Sequence, residues 1–206
     1  MKLKVLKSTD PILRTSCQDL SLKELKLIKT QKLIEQLLDF VYGQSNKGKE
    51  RNRNKASTVG LSANQLGISQ KICIVNLGIG NKRYNDLHCL INPKITKYSK
   101  IKSEHVEGCV NLPELYGLVP RFKWVVIKTL DRSGNEIIIK AQGWLSVLLQ
   151  HEIGHLNGEL FIDHLLDPTK AHYVPEGMQG DTYRKNFKKW DKFKDVRSLV
   201  RQVKST

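Results

Sequence analysis

Residues 148–161 read LLQHEIGHLNGELF, an apolar helical pattern interrupted by two histidines four apart and a glutamate beside the first. On an α-helix, positions i and i+4 share a face about one turn apart. His151 and His155 can therefore aim both imidazoles at one point. Glu152 is displaced around the helix, yet its carboxylate can reach a water held there, the HExxH arrangement with glutamate as general base. Burying these groups among Leu148, Leu149, Ile153 and Leu156 is costly unless they are paired or hold an ion. The stretch thus requires a fold that wraps the helix in apolar structure and keeps a polar centre on one face. Gly158 is placed to close the helix.

A catalytic metal site of this kind needs a third protein ligand and an open fourth position. The extended protease pattern HExxHxxGxxH fails, because Phe161 stands where its third histidine belongs. Glu176 is a possible ligand but lies in a Pro/Gly-rich segment without a helix signal. A better candidate sits upstream in HVEGCVNLPELYGLVPR, 105–121, where Cys109 follows Gly108 at a point suited to a sharp turn. A thiolate with two imidazoles makes a Cys/His/His site open to water. A third stretch, TVGLSANQLGI at 58–68, is flanked by glycines and offers Gln65, an amide that can donate a hydrogen bond to a substrate carbonyl without titrating.

The rest of the chain predicts a single α+β domain. KLKVL (2–6) has strand character, and Ser21 with Glu24 forms a capping box for a helix running to about residue 41. KICIVN (71–76), HCLINPKI (88–95) and VPRFKWVVIKTL (119–130) read as strands, the last returning through DRSGN into EIIIKA. PTKAHYVPEG reads as irregular, and 182–203 as a basic amphipathic helix with Tyr183, Phe187, Trp190, Phe193 and Val196 at helical spacing. The expected architecture is mostly antiparallel sheets around a central HExxH helix. Residues 1–181 form the catalytic part, and 182–206 a basic helix or tail of the same domain. Four cysteines without a CxxC pair do not make a disulfide framework. No apolar run approaches the ~20 residues of a membrane helix, and the N-terminus lacks a secretory h-region, so a cytoplasmic location is expected.

The formal net charge is +15, concentrated in two places. Residues 46–55 carry five basic residues and one acid, and 184–204 carry nine basic residues against Asp191 and Asp195. Such asymmetry suits an anionic partner such as nucleic acid or the ribosome.

Taken in order, TVGLSANQ (58–65), EGCVN (107–111) and QHEIGHLNG (150–158) resemble the three blocks of peptide deformylase, GΦGΦAAxQ, EGCΦS and QHExDHΦxG, with Φ apolar. The similarity covers roughly residues 1–167. The resemblance implies hydrolysis of the N-formyl group from nascent peptides that begin with formyl-methionine. It also implies metal ligands Cys109, His151 and His155, with Glu152 as base. Gln65 and the backbone N–H of Val110 would serve the oxyanion. Val59, Val147 and Leu148 would line a methionine pocket, with Gly60 admitting the peptide backbone. The family typically holds Fe²⁺, with zinc or nickel also found, whereas ligand chemistry alone leans to zinc. The resemblance further implies ribosome docking through the basic C-terminal helix. Thr58, Ser62, Asn111 and Gly154 depart from the blocks. Two other readings stay open here: a deformylase-like protein with reduced or lost activity, including a non-enzymatic ribosome- or RNA-binding protein, and a general HExxH metallopeptidase whose third ligand is not Cys109.

Overall fold

The structure, a computed structural model, describes residues 3–42, 59–78, 86–175, 183 and 186–200. The basic stretch 46–55, Thr58 and Glu176 lie outside the described residues.

Among the described residues, nine strands form two sheets. The first has five strands in the order β1 (Gly60–Ser62), β2 (Ile72–Asn76), β3 (Leu87–Tyr98), β6 (Trp124–Leu130) and β7 (Glu136–Gln142). The second has four, in the order β4 (Lys102–Cys109), β5 (Leu112–Phe122), β8 (Ala171–Tyr173) and β9 (Phe193–Lys194). Every strand pairing within them is antiparallel, as the reading of an α+β chain with mostly antiparallel sheets expects.

Strand β2 is buried along its whole length, and its two-residue period divides it between two cores. Ile72 and Ile74 join the cluster under the helix α2 (Ile28–Val41), with Ile34, Leu37 and Val41. Cys73 and Val75 face the other way, into a cluster with Leu148, Leu149, Ile153 and Leu156 of α3 (Gly143–Leu156). Helix α3 packs on β1, β2 and β7 of the first sheet and on β5 of the second. Asn157 caps it, and Gly158 follows at φ +79°, where only glycine is unstrained. A Cβ at Gly158 would also lie 2.8 Å from the Arg14 carbonyl oxygen.

Several sequence expectations change. The helix expected from Ser21 is two helices, a capped single turn α1 (Leu22–Leu25) and then α2, with the Ser21–Glu24 capping box in place. Residues 3–7 form no strand, although Leu6 N–H donates to the Gln65 carbonyl at 2.9 Å. The single strand expected over 119–130 is β5 and β6, which belong to different sheets and meet at Lys123. The segment after Asp167, expected to be irregular, contributes β8 to the second sheet.

The C-terminal basic helix expected over 182–203 is the largest departure. Among the described residues of the tail, Tyr183 and Asn186 are helical, but Phe187–Lys189 form a short 3-10 turn and β9 then pairs with the free edge of β8. Edge pairing satisfies backbone groups that an isolated helix would have had to satisfy internally. Tyr183 and Val196 are fully buried, so the tail packs into the molecule instead of projecting from it.

Candidate metal centre

Two elements bring three residues to one point. Strand β4 ends at Cys109, with a register shift between Gly108 and Cys109 that breaks the regular pairing with β5. Such a bulge re-aims the side chain that follows it. Helix α3 supplies His151 and His155 from one face. The Cys109 Sγ lies 3.3 Å from His155 Nε2, and the two Nε2 atoms lie 3.1 Å apart. One ligand atom from each of the three residues falls within 4.8 Å of the other two.

The donor set fits a divalent cation. His151 Nδ1 donates to Glu107 Oε2 at 2.8 Å, which fixes the tautomer and leaves Nε2 as a lone-pair donor toward the centre. His155 Nδ1 is buried without a hydrogen-bond partner, so nothing outside the centre sets that ring's tautomer. One sulfur and two imidazole nitrogens converging on one point are the chemistry of an open transition-metal site.

Behind His151 stands a buried ion pair. Arg121 donates from Nε to Glu107 Oε1 at 2.7 Å and from Nη2 to Oε2 at 3.0 Å. Burial works to raise the Glu107 pKa, but the hydrogen bonds and charges of Arg121 and His151 outweigh it and hold the carboxyl at about 2. Burial likewise works against a charged His151, and the Cys109 and Glu107 partners overcome it, pushing the ring up to about 10 without metal. His155 goes the other way. Burial, then the charge of His151, holds it well below the ordinary histidine range.

Glu152 sits on the side facing β1. Ser62 Oγ donates to Glu152 Oε2 at 2.7 Å and lies 2.9 Å from the Glu152 carbonyl. Burial raises the Glu152 pKa, with His151 and the Ser62 hydroxyl acting against it. A Cβ at Gly60 would lie 2.5 Å from Glu152 Oε1 and 2.8 Å from Leu148 Cδ1, so only glycine fits beside this carboxylate.

Gln65 is pinned from both ends. Its Oε1 accepts from Ser62 N–H at 2.7 Å, and its Nε2 donates to Asn111 Oδ1 at 2.8 Å while lying 3.3 Å from the Cys109 sulfur. Asn111 in turn donates to the Leu6 carbonyl at 2.7 Å. Asn64 donates to the His155 carbonyl at 2.5 Å.

The fold therefore brings together Cys109, His151, His155, Glu152 and Gln65. Of the residues expected to contact substrate, Gly60 and Leu148 touch the site directly. Val59 and Val110 are exposed at its rim, 41% and 42%, and Val147 is buried in α3. The sequence reading missed Glu107, Arg121 and the part played by Ser62 and Asn111. Glu107 was legible in principle, because it stands two residues before Cys109 and strand side chains alternate. Arg121 could not be found that way, since only the register of β5 sets it opposite Ser103, one strand over from Glu107. Ser62 and Asn111, which depart from the family blocks, both hydrogen-bond within the site.

Comparisons with known proteins point to one family. A family model described as polypeptide deformylase matches residues 2–171. A peptide deformylase of Carboxydothermus hydrogenoformans is 36% identical over 160 residues, covering 78% of this chain and 91% of that one. Peptide deformylase 1 of Vibrio vulnificus is 34% identical over 163 residues, covering 79% and 86%. Among solved structures, the Legionella pneumophila peptide deformylase superposes with a TM-score of 0.65 at 31% identity, covering 79% of this chain and 85% of that one. A ligand-bound class I type b peptide deformylase of Acinetobacter baumannii gives 0.68 at 27% identity, covering 80% and 100%.

Proposed function

The chain belongs to the polypeptide deformylase family, and from that premise we propose that Cys109, His151 and His155 hold the divalent cation of an enzyme that removes the N-formyl group from nascent peptides. The family and its relatives establish the metal-dependent deformylase reaction; the assignment of individual roles is our reading. It is carried by one observation, the approach of one sulfur and two imidazole nitrogens to within 4.8 Å beside a buried carboxylate.

A divalent cation bound there supplies a Lewis acid that acidifies water and polarises a carbonyl. Glu152 takes a proton from the water that attacks the formyl carbon. Its raised affinity for protons lets it hold that proton and then deliver it to the departing amine nitrogen as the C–N bond breaks, releasing formate. Ser62 keeps the carboxylate aimed during both transfers. Gln65 donates one N–H to Asn111 and the other to the Cys109 sulfur. The second turns from the sulfur to the oxyanion as it forms, with the backbone N–H of Val110 as the other donor. Gly60 admits the peptide backbone, and Val59, Val147 and Leu148 take the methionine side chain. The small clearance at Gly60 supports this reading, since a side chain there would displace Glu152.

The metal is Fe²⁺ by family resemblance, with zinc or nickel as substitutes. We read residues 182–206 as one domain with 1–181, supported by the burial of Tyr183 and Val196. The setting we propose is the cytoplasm, at the ribosome. Exposed Lys188, Lys189, Lys192 and Lys194 on the tail support an anionic partner. Reversing those four charges to glutamate is expected to abolish ribosome co-sedimentation; unchanged pelleting would remove the docking idea.

The decisive assay loads the protein anaerobically with Fe²⁺ or Ni²⁺ and measures formate from formyl-Met-Ala-Ser. Glu152→Ala is expected to lose 10²–10⁴-fold in rate, on the order of a general-base contribution, while still binding metal. Formate release unaffected by the substitution would refute Glu152 as base, and release of an internal peptide fragment would indicate a peptidase.

A further inference from the structure

Tyr183 lies beyond the family-matched residues 2–171, yet it is completely buried. Its ring packs against Tyr116 of β5, with centroids 4.7 Å apart, and edge-on to Trp190 at 5.0 Å. Its hydroxyl meets His172 Nδ1 at 2.8 Å, and Trp190 Nε1 donates to the Tyr173 carbonyl at 3.0 Å. The tail is thereby clamped to β8.

Tyr116 faces Gly108 across the β4–β5 pair, and that is the last regular rung before the register shift that turns Cys109 toward the histidines. The Tyr116 ring lies so close that a Cβ at Gly108 would meet its Cε1 at 2.5 Å and its Cδ1 at 2.6 Å. From Tyr183 to Cys109 there is thus one continuous packed path: ring on ring, ring on glycine, glycine bonded to the metal-facing cysteine. Cys109 itself, like the tail residues Leu199 and Val200, packs against the cluster that contains Val196.

We propose that Tyr183 is a positioning residue for Cys109. The tail closes the back of the β4 bulge, so the thiolate is aimed by a segment outside the part of the chain that the family model matches. A well-packed ring resists displacement, because the gap it would leave costs cavity energy and the atoms around it lose contacts. A bulge is a soft point in a ladder, one pairing short of regular, and needs such support to hold one direction. The proposal rests on Cys109 being a metal ligand.

The test uses full-length protein reconstituted with Co²⁺, whose near-ultraviolet thiolate-to-metal absorption reports the sulfur directly. Wild type is expected to show that band. Tyr183→Ala is expected to weaken Co²⁺ binding roughly tenfold in chelator competition, the lower end of what loss of a ligand's support costs, and to shift or diminish the band. Tyr183→Phe keeps the ring and is expected to restore both. Ile34→Ala thins the cluster under α2, which does not include Cys109, and is expected to lower thermal stability while leaving the band as in wild type. Should Tyr183→Ala fail to fold, Tyr183→Leu carries the same comparison. Wild-type affinity and spectrum in Tyr183→Ala or Tyr183→Leu overturn the inference, as does an equal change in Ile34→Ala. Absence of the band in wild type overturns the ligand assignment itself, a separate result.

Discussion

Toward β4 and β5, the groups around the metal centre are held ionised: Glu107 at about 2, and His151, without metal, at about 10, with the Arg121 guanidinium bridging both carboxylate oxygens. Toward β1, burial raises Glu152 toward its neutral form. His151 and Glu152 are neighbours on one helix, so the helix is not the cause of the difference. The cause is what each sheet places against it. The second sheet supplies a fixed charge pair, and the first supplies a hydroxyl and glycine backbone. The braced side fixes geometry. The other side leaves a carboxyl free to gain and lose a proton, which is what a base that must also return its proton needs.

Removing the brace should produce the largest change. Glu107→Gln leaves Arg121 buried without its counter-charge and is expected to cost about 3–5 kcal/mol of stability in urea unfolding. It should also weaken metal binding about 10- to 100-fold. The folded pKa of about 2 lies below the unfolded value of roughly 4.3, so Glu107 contributes stability that is fully present above the unfolded value and lost as pH falls through the folded one. The gap between wild type and variant should therefore close between about pH 4.3 and pH 2. A constant gap down to pH 2 would show that the pair is not what braces this side.

Ser62→Ala probes the opposite side. Loss of the 2.7 Å hydrogen bond to Glu152 should lower kcat about five- to tenfold with little change in metal content. If kcat is unchanged while metal is lost, the division between a bracing side and a proton-handling side is wrong. Gly154→Ala should have the smallest effect. A Cβ there meets Glu159 Oε2 at an ordinary 3.6 Å, so the glycine relieves no clash. The variant should gain roughly 0.5–1 kcal/mol in helix stability and keep its activity, as read by thermal melting and formate release.

The centre was legible in the sequence where chemistry follows local periodicity. The i, i+4 histidines, the closing Gly158 and the isolated Cys109 stand out without any knowledge of tertiary structure. Legibility failed where pairing between distant segments decides. Buried positions 115, 117, 119 and 121 in β5 and 125, 127 and 129 in β6 are all odd, so the alternation keeps its phase across the change of sheet. Only Lys123, an odd position exposed to solvent, interrupts it. A run with one phase reads as one strand. In the tail, aromatic spacing of 183, 187 and 190 fits a helix, but the vacant edge of β8 captures the chain instead, and nothing in the local sequence announces that edge.

The passage of the chain between sheets over a single residue leaves no slack. Lys123 N–H donates to Ser99 Oγ and approaches the Ile101 carbonyl, and its own carbonyl accepts from Gly143 N–H at the start of α3. One residue thus ties together the turn before β4, the strand that pairs with it and the root of the histidine helix. The knot joins the sheet that carries Cys109 to the helix that carries His151 and His155, through backbone bonds remote from all three side chains.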